Sequence, residues 1–533
     1  MLVRIALILL VLGCSRILHA QELTVLQVTP GPSMLQVSPY ENIRIRFDRP
    51  VDTSSVSNVT IRVYSRSGGN VHGRMDFVDG GREVVLVPDR PLASGEPVQI
   101  TLASSIRGTD GTMIRPEGYS WRFWVRTKQA EMQLKQTQVL STNFKGGEST
   151  IPYGGVATDL DGDGWIDLSL TNEGTDDVRV FMNSSDGHVL PMSPFSFAVG
   201  SIPSPVESAD FDNDGHPDLC TANIGDGTIS ILLGNGDGTY GTQQSIEVGN
   251  GPRGIAVLDV DGDADMDIIN TNSSSSNLSL VTNDGNGQFS QPQFLMGGVP
   301  TEWSVEAVDM NSDGITDLVV GGEDRISVLI GNGNGTFGSP ITRNSAGILW
   351  QVRCGDLDGD GDEDVTSCNS TTGAGAVFFN NGAGQLSPPI YYSGNQFPIA
   401  TDLGDFDGDG DLDWILSGYG GSWRIYANNG DGQFSLMQIL DAPDSASCSL
   451  PTDLDNDGDL DLALIDENDD LLIIMKNMAE HVSGDFNDDG LVNGVDLAIL
   501  LAAWKSQDPM KDLNGDGSIN GIDLAILLAN WTP

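Results

Sequence analysis

One nine-residue pattern, Asp-x-Asp-x-Asp-Gly-x-x-Asp, returns seven times, beginning at Asp159, Asp210, Asp259, Asp309, Asp356, Asp405 and Asp453. The copies lie about fifty residues apart, and a fixed period of that size with strand-like sequence between copies marks a propeller or a similar array. Each unit has the same internal order. An apolar run precedes the acidic loop and a second follows it, as in Asp167-Leu168-Ser169-Leu170 and Asp317-Leu318-Val319-Val320. A third leads to a turn such as Asn235-Gly236-Asp237-Gly238, Asn332-Gly333-Asn334-Gly335 or Asn429-Gly430-Asp431-Gly432. Asn and Gly tolerate positive φ, so these are hairpin turns and each unit reads as four strands. The seventh unit has only three, ending with Leu471 to Met475. The spare segment Met132 to Phe144 is predicted to supply its fourth strand and close the ring, which removes the open edges of a linear array.

Side-chain oxygens fall at loop positions one, three, five and nine. They are Asp159, Asp161, Asp163 and Asp167; Asp210, Asp212, Asp214 and Asp218; Asp259, Asp261, Asp263 and Asp267; Asp309, Asn311, Asp313 and Asp317; Asp356, Asp358, Asp360 and Asp364; Asp405, Asp407, Asp409 and Asp413; and Asp453, Asp455, Asp457 and Asp461. Neighbouring carboxylates repel by about 4 kcal/mol per pair at an effective dielectric near 20, and a divalent cation reverses that sign. Oxygen ligands without His or Cys select a hard cation, and flexible six- to eight-fold coordination favours Ca2+. Position seven is expected to add a backbone carbonyl, and Gly at six to allow the sharp turn. Ala264 replaces that Gly in the third loop and Asn311 replaces a carboxylate in the fourth; weaker binding is expected at both. Because every copy shares the chemistry, calcium is expected to pin the turns, contributing about 2.7 kcal/mol per site at 100 times its dissociation constant. A calcium-bridged ligand requires a loop with an open coordination position. The pattern closely resembles the FG-GAP or VCBS repeats of integrin-type propellers over residues 130–478, and the resemblance implies a mainly β, seven-bladed β-propeller.

Residues 23–127 alternate apolar and polar in short runs: Ile43, Ile45 and Phe47; Val59, Ile61 and Val63; Val98, Ile100 and Leu102; Trp121, Phe123 and Val125. Period two means strands with one buried face, and the turns at Ser67 to Asn70, Asp79 to Gly81 and Asp110-Gly111 suggest a β-sandwich. Thr29-Pro30, the run Phe47-Asp48-Arg49-Pro50-Val51-Asp52 and Pro91-Leu92 resemble the bacterial Ig-like domains of surface-layer and other exported proteins. The resemblance implies a spacer or presentation module.

The last fifty residues repeat internally. Gly494-Val495-Asp496-Leu497-Ala498-Ile499-Leu500-Leu501 returns as Gly521-Ile522-Asp523-Leu524-Ala525-Ile526-Leu527-Leu528, with Trp504 matched by Trp531. Each copy opens with an acidic loop: Asp485, Asn487, Asp489, Asn493 and Asp496 at positions one, three, five, nine and twelve, then Asp512, Asn514, Asp516, Asn520 and Asp523. These read as calcium loops opening directly into apolar helices. Paired units of this length, without an entering helix, look like a type I dockerin across residues 483–533. That implies a small α-helical domain, a cohesin-like or other extracellular protein partner, and a setting in polysaccharide breakdown. At positions ten and eleven, where many dockerins carry Ser-Thr, this chain has Gly494-Val495 and Gly521-Ile522.

A formal charge of −49 argues against nucleic acid or an anionic membrane as partner and makes cations the natural counterpart. Residues 1–20 combine Arg4, an apolar run from Ile5 to Leu12 and a small residue before Gln21, the pattern of a secretory signal. The run is too short to span a bilayer and no later segment is long enough, so the chain is expected to be secreted or at the cell surface. Gly13-Cys14 offers a competing lipoprotein-type cut. The remaining cysteines, Cys220, Cys354, Cys368 and Cys448, are too scattered for a disulfide scaffold or a zinc cluster. Cys354 and Cys368 flank one loop, and a cross-strand disulfide and two buried thiols both fit.

His72, His188, His216 and His481 stand apart from one another, and none joins a triad or zinc motif. No catalytic residue is assigned. The expected function is a calcium-binding scaffold whose propeller binds a polysaccharide or cell-surface ligand in adhesion. The alternative is a secreted polysaccharide hydrolase or lyase carried by the tail. A pocket with a free carboxylate, Arg or Tyr cluster at the propeller axis points to the enzyme; a flat ring face points to binding.

Overall fold

The computed structural model describes residues 22–130, 132–143, 149–477, 484, 486, 492–506, 511, 513–514 and 518–532. The expected signal with Cys14, Phe144, His481 and the loop residues Asp485, Asn487, Asp489, Asp512 and Asp516 lie outside them.

The molecule is mainly β, with two short helices near the C-terminus. Its N-terminal part is a sandwich of two four-stranded antiparallel sheets, one ordered Val25–Thr29, Ile43–Phe47, Glu83–Pro88, Gly73–Val78 and the other Gly69–Asn70, Ile61–Ser65, Pro97–Leu102, Tyr119–Trp124. The alternating residues Ile43, Ile45, Phe47, Val63, Val98, Ile100, Trp121 and Phe123 meet in its core. Val59 does not. It is exposed because the strand starts only at Ile61, after a turn in which Thr60 Oγ1 accepts from Ser57 N at 2.9 Å.

Beyond the sandwich, antiparallel four-stranded sheets follow one another. Pro152–Thr158, Asp167–Asn172, Asp177–Asn183 and Val189–Ala198 pair in that order, and the same order starts again at Pro203–Ala209, Pro252–Leu258 and Pro398–Gly404. Between the last two, a seven-stranded sheet runs from Ser304–Val308 to Ile390–Ser393 through the long strand Ile341–Gly355. That strand is shared: its start pairs with Glu323–Leu329 (Ile341 opposite Val328) and its end with Asp364–Asn369 (Gly355 opposite Asp364). The spare N-terminal strand, Lys135–Ser141, lies antiparallel to Leu471–Lys476 and completes the final sheet. Innermost strands of consecutive sheets lie against each other, and Ala446–Thr452 lies against Pro152–Thr158, so the series closes.

Six of the seven described inner strands enter irregularly, Ser304–Val308 being the regular one. Pro152, Pro203, Pro252 and Pro398 begin their strands, where a missing N–H is tolerated, and the register shifts just afterwards. Such bulges break strict alternation, which lets Trp350 and Arg353, three residues apart, line the same cavity. Each inner strand then runs into its acidic loop, so the loops share one end of the array.

The four described cysteines, Cys220, Cys354, Cys368 and Cys448, are free. Cys354 pairs with Val365 and Cys368 with Gln351, so the two thiols sit at different registers and the cross-strand bond does not form.

Candidate metal loops and axial binding site

The carboxylate at loop position nine is a bracket. Asp167 accepts Leu160 N at 3.0 Å on one oxygen and Asn183 N at 2.7 Å on the other. Asp218 does the same with Phe211 N and Gly234 N, Asp267 with Val260 N and Asn283 N, Asp317 with Met310 N and Gly331 N, Asp364 with Leu357 N and Asn380 N, Asp413 with Phe406 N and Asn428 N, and Asp461 with Leu454 N and Asn477 N. Each ninth residue thus ties its own loop to the turn after the third strand. Period counting identified these residues only as candidate ligands.

The predicted ligands do meet. Carboxylate oxygens of Asp159, Asp161 and Asp167; of Asp210, Asp212 and Asp218; of Asp259, Asp261 and Asp263; of Asp356, Asp358 and Asp360; and of Asp405, Asp407 and Asp413 lie within 4.8 Å of one another in each group, close enough to hold a metal ion. In the seventh loop Asp453, Asp455, Asp457 and Asp461 are joined by Asp459 at position seven, which is 0% exposed with neither carboxylate oxygen hydrogen-bonded. Asp358, Asp405 and Asp455 each also bury an oxygen without a partner. Burial first, then the neighbouring carboxylates, push Asp459 up to about 9. Burial likewise raises Asp218, Asp364, Asp413 and Asp461 to about 8 and Asp167 and Asp317 to about 7. Converging buried oxygens that outnumber the cationic side chains beside them fit a hard divalent cation. Asp309, Asn311, Asp313 and Asp317 form the fourth loop, where Asn311 Nδ2 donates to Asp313 at 3.0 Å. Asp163, Asp214 and Asp409 complete the first, second and sixth loops, and all three are exposed. Ala264 takes φ +71°, the left-handed conformation that Gly adopts in the other six loops.

The sandwich covers the loop end of the array, where basic and amide side chains meet acidic loops. Arg90 pairs with Asp159 and Asn70 donates to Asp210; Arg62 reaches Asp265 at 3.0 Å, and Gln36 donates to Asp405 at 2.8 Å. Backbone bonds reinforce the contact, among them Ser104 N to Gly262 O at 2.7 Å and Ser120 N to Gly314 O at 2.8 Å. Two further arginines enter the axis. Arg122 binds Glu363 at 2.6 Å and Glu306 at 3.4 Å, and Arg66 binds Glu207 at 3.2 Å. Arg353 on an inner strand joins this network through Glu306 and Asp402, each at 3.2 Å. Ion pairs thereby floor the axial channel.

Above that floor a cavity of about 80 Å³ is lined by Tyr153, Ser204, Arg253, Trp303, Trp350 and Gln351, among others. Tyr153, Ser204 and Arg253 start inner strands, Trp303 stands just before one, and Trp350 and Gln351 lie where the long strand Ile341–Gly355 turns inward, all at the end away from the acidic loops. Trp303 and Trp350 stack with centroids 4.6 Å apart, and the Arg253 guanidinium lies 4.4 and 4.9 Å from the two rings. Phe397 touches Trp350 at 5.6 Å and stacks on Tyr419 at 5.7 Å. Tyr419 donates to Glu467 at 3.0 Å, and burial pushes the Glu467 carboxyl up to about 7. The members of this cluster are scattered over all seven repeats, so no short motif holds them. The visible signal was that Tyr153, Arg253, Trp303 and Trp350 all stand six residues before a loop's first Asp.

Comparison with known families agrees with this repeat geometry. A model described as an FG-GAP-like repeat matches residues 159–221, 210–270, 259–320, 309–367, 356–416 and 405–464. The chain belongs to the FG-GAP-like repeat family. A bacterial Ig-like domain model matches residues 19–125 of this FG-GAP-like protein and a dockerin type I model residues 483–530. No curated protein matches it. Among solved structures it is similar to a streptogramin B lyase (15% identity, 64% of this chain and 98% of that chain covered, TM-score 0.43). It is also similar to an Agrocybe aegerita lectin described as recognising non-reducing terminal N-acetylglucosamine (17% identity, 78% and 94% covered, TM-score 0.39). A third is a putative 6-phosphogluconolactonase from Bacteroides fragilis (13% identity, 77% and 99% covered, TM-score 0.43).

In the dockerin of this FG-GAP-like protein, helices Gly494–Ala502 and Gly521–Ala529 pack around Val492, Leu500, Ile519 and Leu527. Asn493 and Asn520 cap them, each in a capping box with Asp496 or Asp523. The second oxygen of Asp496 takes Phe486 N at 2.7 Å and that of Asp523 takes Leu513 N at 2.8 Å, so position twelve ties the loop's start to its helix. Asn514 N also points at Asp523, at 3.3 Å. Among the described residues no helix is long and apolar enough to cross a membrane. An extracellular, dockerin-bearing repeat protein with a cohesin-type partner follows from these matches, and its acidic groups can hold metal.

Proposed function

We propose that this chain is a calcium-pinned scaffold with an Ig-like part at 23–127, a seven-bladed propeller at 130–478 and a docking tail at 483–533. The propeller offers one end of its axis to an extracellular ligand. The observation that carries this reading is the asymmetry of the ends: the Ig-like part covers the loop end with Arg62, Arg66, Arg90 and Arg122, which leaves the aromatic mouth around Trp350 for a ligand. The seven inner strands in a closed cycle support the blade count. The loop oxygens assigned above are the proposed Ca2+ ligands; neutralising their charge is the chemistry the ion supplies. Exposed apolar residues at matching positions of the tail, Val495 with Ile522 and Leu501 with Leu528, support a cohesin-like partner. The test is the melting temperature with calcium and with chelator, together with binding of the intact chain to a glycan and protein array under both conditions. Equal melting temperatures sink the calcium scaffold.

A second reading, a tail-carried polysaccharide hydrolase or lyase, is favoured by one feature: Glu467, raised by burial and next to Tyr419, is a proton donor near neutral pH at the axis. Product analysis with the wild type and Glu467→Gln separates the two readings, since a scaffold releases no sugar.

A further inference from the structure

We infer that the open end of the axial channel is a binding site for a neutral saccharide ring, seated on Phe397 and Tyr419 and hydrogen-bonded by Arg253, Trp303 and Glu467. This deepens the reading above, on which it rests, by naming the ligand class.

The surface is suited to a sugar's C–H face. Phe397 and Tyr419 stack at 24° between planes and are each 37% exposed, which leaves a flat aromatic patch at the rim. Ring faces carry partial negative charge and attract the weakly positive C–H edges of a pyranose as they attract other aromatic edges.

The polar groups at the mouth are both donors and acceptors, and they lack partners. Arg253 makes no hydrogen bond or ion pair among the described residues, and its Nε is buried. Trp303 Nε1 is a buried donor without an acceptor. Glu467 uses Oε1 for Tyr419, while its Oε2 is buried and unpaired. An unpaired buried polar group is destabilising, so a built site of this kind gains when a ligand arrives. Hydroxyls satisfy both sets because each one donates and accepts.

Charge selects neutrality. Arg253 interacts electrostatically with Glu173, Tyr153 and Tyr419, and Glu467 with Glu173, so cation and carboxylates share one mouth. An anion faces two glutamates in a protein of formal charge −49. An external cation meets Arg253, which already occupies the indole faces.

The rim is also held in strain. Ile151, Ile202, Thr301 and Phe397, just ahead of their inner strands, have φ of +49°, +54°, +46° and +54°. The left-handed region is unfavourable for a residue with Cβ, and such strain clusters at ligand clamps.

The experiment is isothermal titration of the full calcium-loaded chain with neutral gluco-, manno-, galacto- and xylo-oligosaccharides, and with oligogalacturonate and sulfated oligosaccharides as the acidic arm. At least one neutral sugar is expected to bind with Kd below about 10 mM. Tyr419→Ala and Arg253→Met are each expected to weaken it about ten-fold or more, while Leu436→Ala on an exposed outer strand leaves it unchanged. Arg253→Met carries the test if the Tyr419 variant melts early. Binding of acidic sugars alone, of no sugar, or equally by wild type and both variants overturns the inference. If that happens while melting stays calcium-dependent, only the ligand class falls; if calcium dependence is lost too, the underlying scaffold falls with it.

Discussion

Asn183 donates from Nδ2 to the carbonyl oxygen of Leu454 at 2.8 Å, although 271 residues separate them. Leu454 is position two of the last acidic loop, and its own N–H is held by Asp461 at 3.2 Å. The same relay joins Asn283 to Phe211, Asn380 to Met310, Asn428 to Leu357 and Asn477 to Phe406, each time reaching the preceding repeat's loop. Gly234 and Gly331 stand at the equivalent place in the other two repeats and give only their backbone N–H to Asp218 and Asp317. Five loops are therefore coupled to the turn of the following repeat, and Asn183 to Leu454 is the link that joins the first repeat to the last.

Removing that link is expected to cost stability. Asn183 Nδ2 also donates to Ile166 O at 3.1 Å, so Asn183→Ala strands two buried carbonyls. The expected loss is about 1–3 kcal/mol, read from the midpoint of urea unfolding. Asn235→Ala, whose hydrogen bond to Thr239 is exposed, is the control and is expected to stay within about 0.5 kcal/mol of wild type.

The third loop carries the opposite opportunity. Ala264 sits at φ +71° where the other loops have Gly. Ala264→Gly relieves left-handed strain of about 1–2 kcal/mol, less a few tenths for the freer unfolded chain. A higher calcium-loaded melting temperature is the expected result; a lower one contradicts the turn argument.

Docking of the Ig-like part depends on Arg122. Its guanidinium is nearly buried against Glu363, itself 3% exposed in its side chain. Arg122→Met leaves that carboxylate buried without its ion pair, with only the Ser33 hydroxyl still donating to it at 3.0 Å, which costs about 3–5 kcal/mol. Scanning calorimetry is expected to show a lowered transition, with the double variant Arg122→Met/Glu363→Leu recovering part of the loss.

Calcium and pH act with opposite sign. Without metal, Asp218, Asp364, Asp413 and Asp461 titrate at about 8 when folded, raised by burial above their ordinary value of 3.8. The folded chain then holds more protons than the unfolded chain between roughly pH 4 and 8, so its stability falls as pH rises through that window. Calcium requires the carboxylates ionised, so the loaded protein is expected to gain stability over the same range and to release protons on binding at pH 7. Melting curves from pH 4 to 9 with and without chelator measure both slopes.

The tail predicts a surface effect. Val495 and Ile522 are 51% and 54% exposed at matching positions. Val495→Asp/Ile522→Asp is expected to abolish capture by a cohesin-like partner while leaving the circular dichroism spectrum unchanged. Altered helicity indicates a packing role instead.

Some of this was written in the sequence. The period of the acidic loops, the three-stranded last repeat and the spare strand at Lys135–Ser141 are local patterns, and strand closure follows from them because an unpaired edge seeks a partner. The internal repeat of the tail is equally local. The carboxylates of the fifty-residue repeats were legible as oxygen clusters, since spacing alone brings positions one, three and five of the third and fifth loops together.

Other features belong to the assembled fold. Position nine as a double backbone acceptor needs the third-strand turn folded against the loop. Asp459 looked like a backbone position and becomes a buried carboxylate only when its neighbours close over it. Arg66 and Arg122 come from strands with ordinary alternation, and only the packing of two bodies turns them into the floor of a channel. Arg253, Trp303, Trp350 and Tyr419 are separated by as many as 166 residues and become neighbours through ring closure. Periodicity encodes what each repeat does to itself, because those contacts are a few residues apart; what repeats do to one another is set by the ring, where proximity no longer follows the chain.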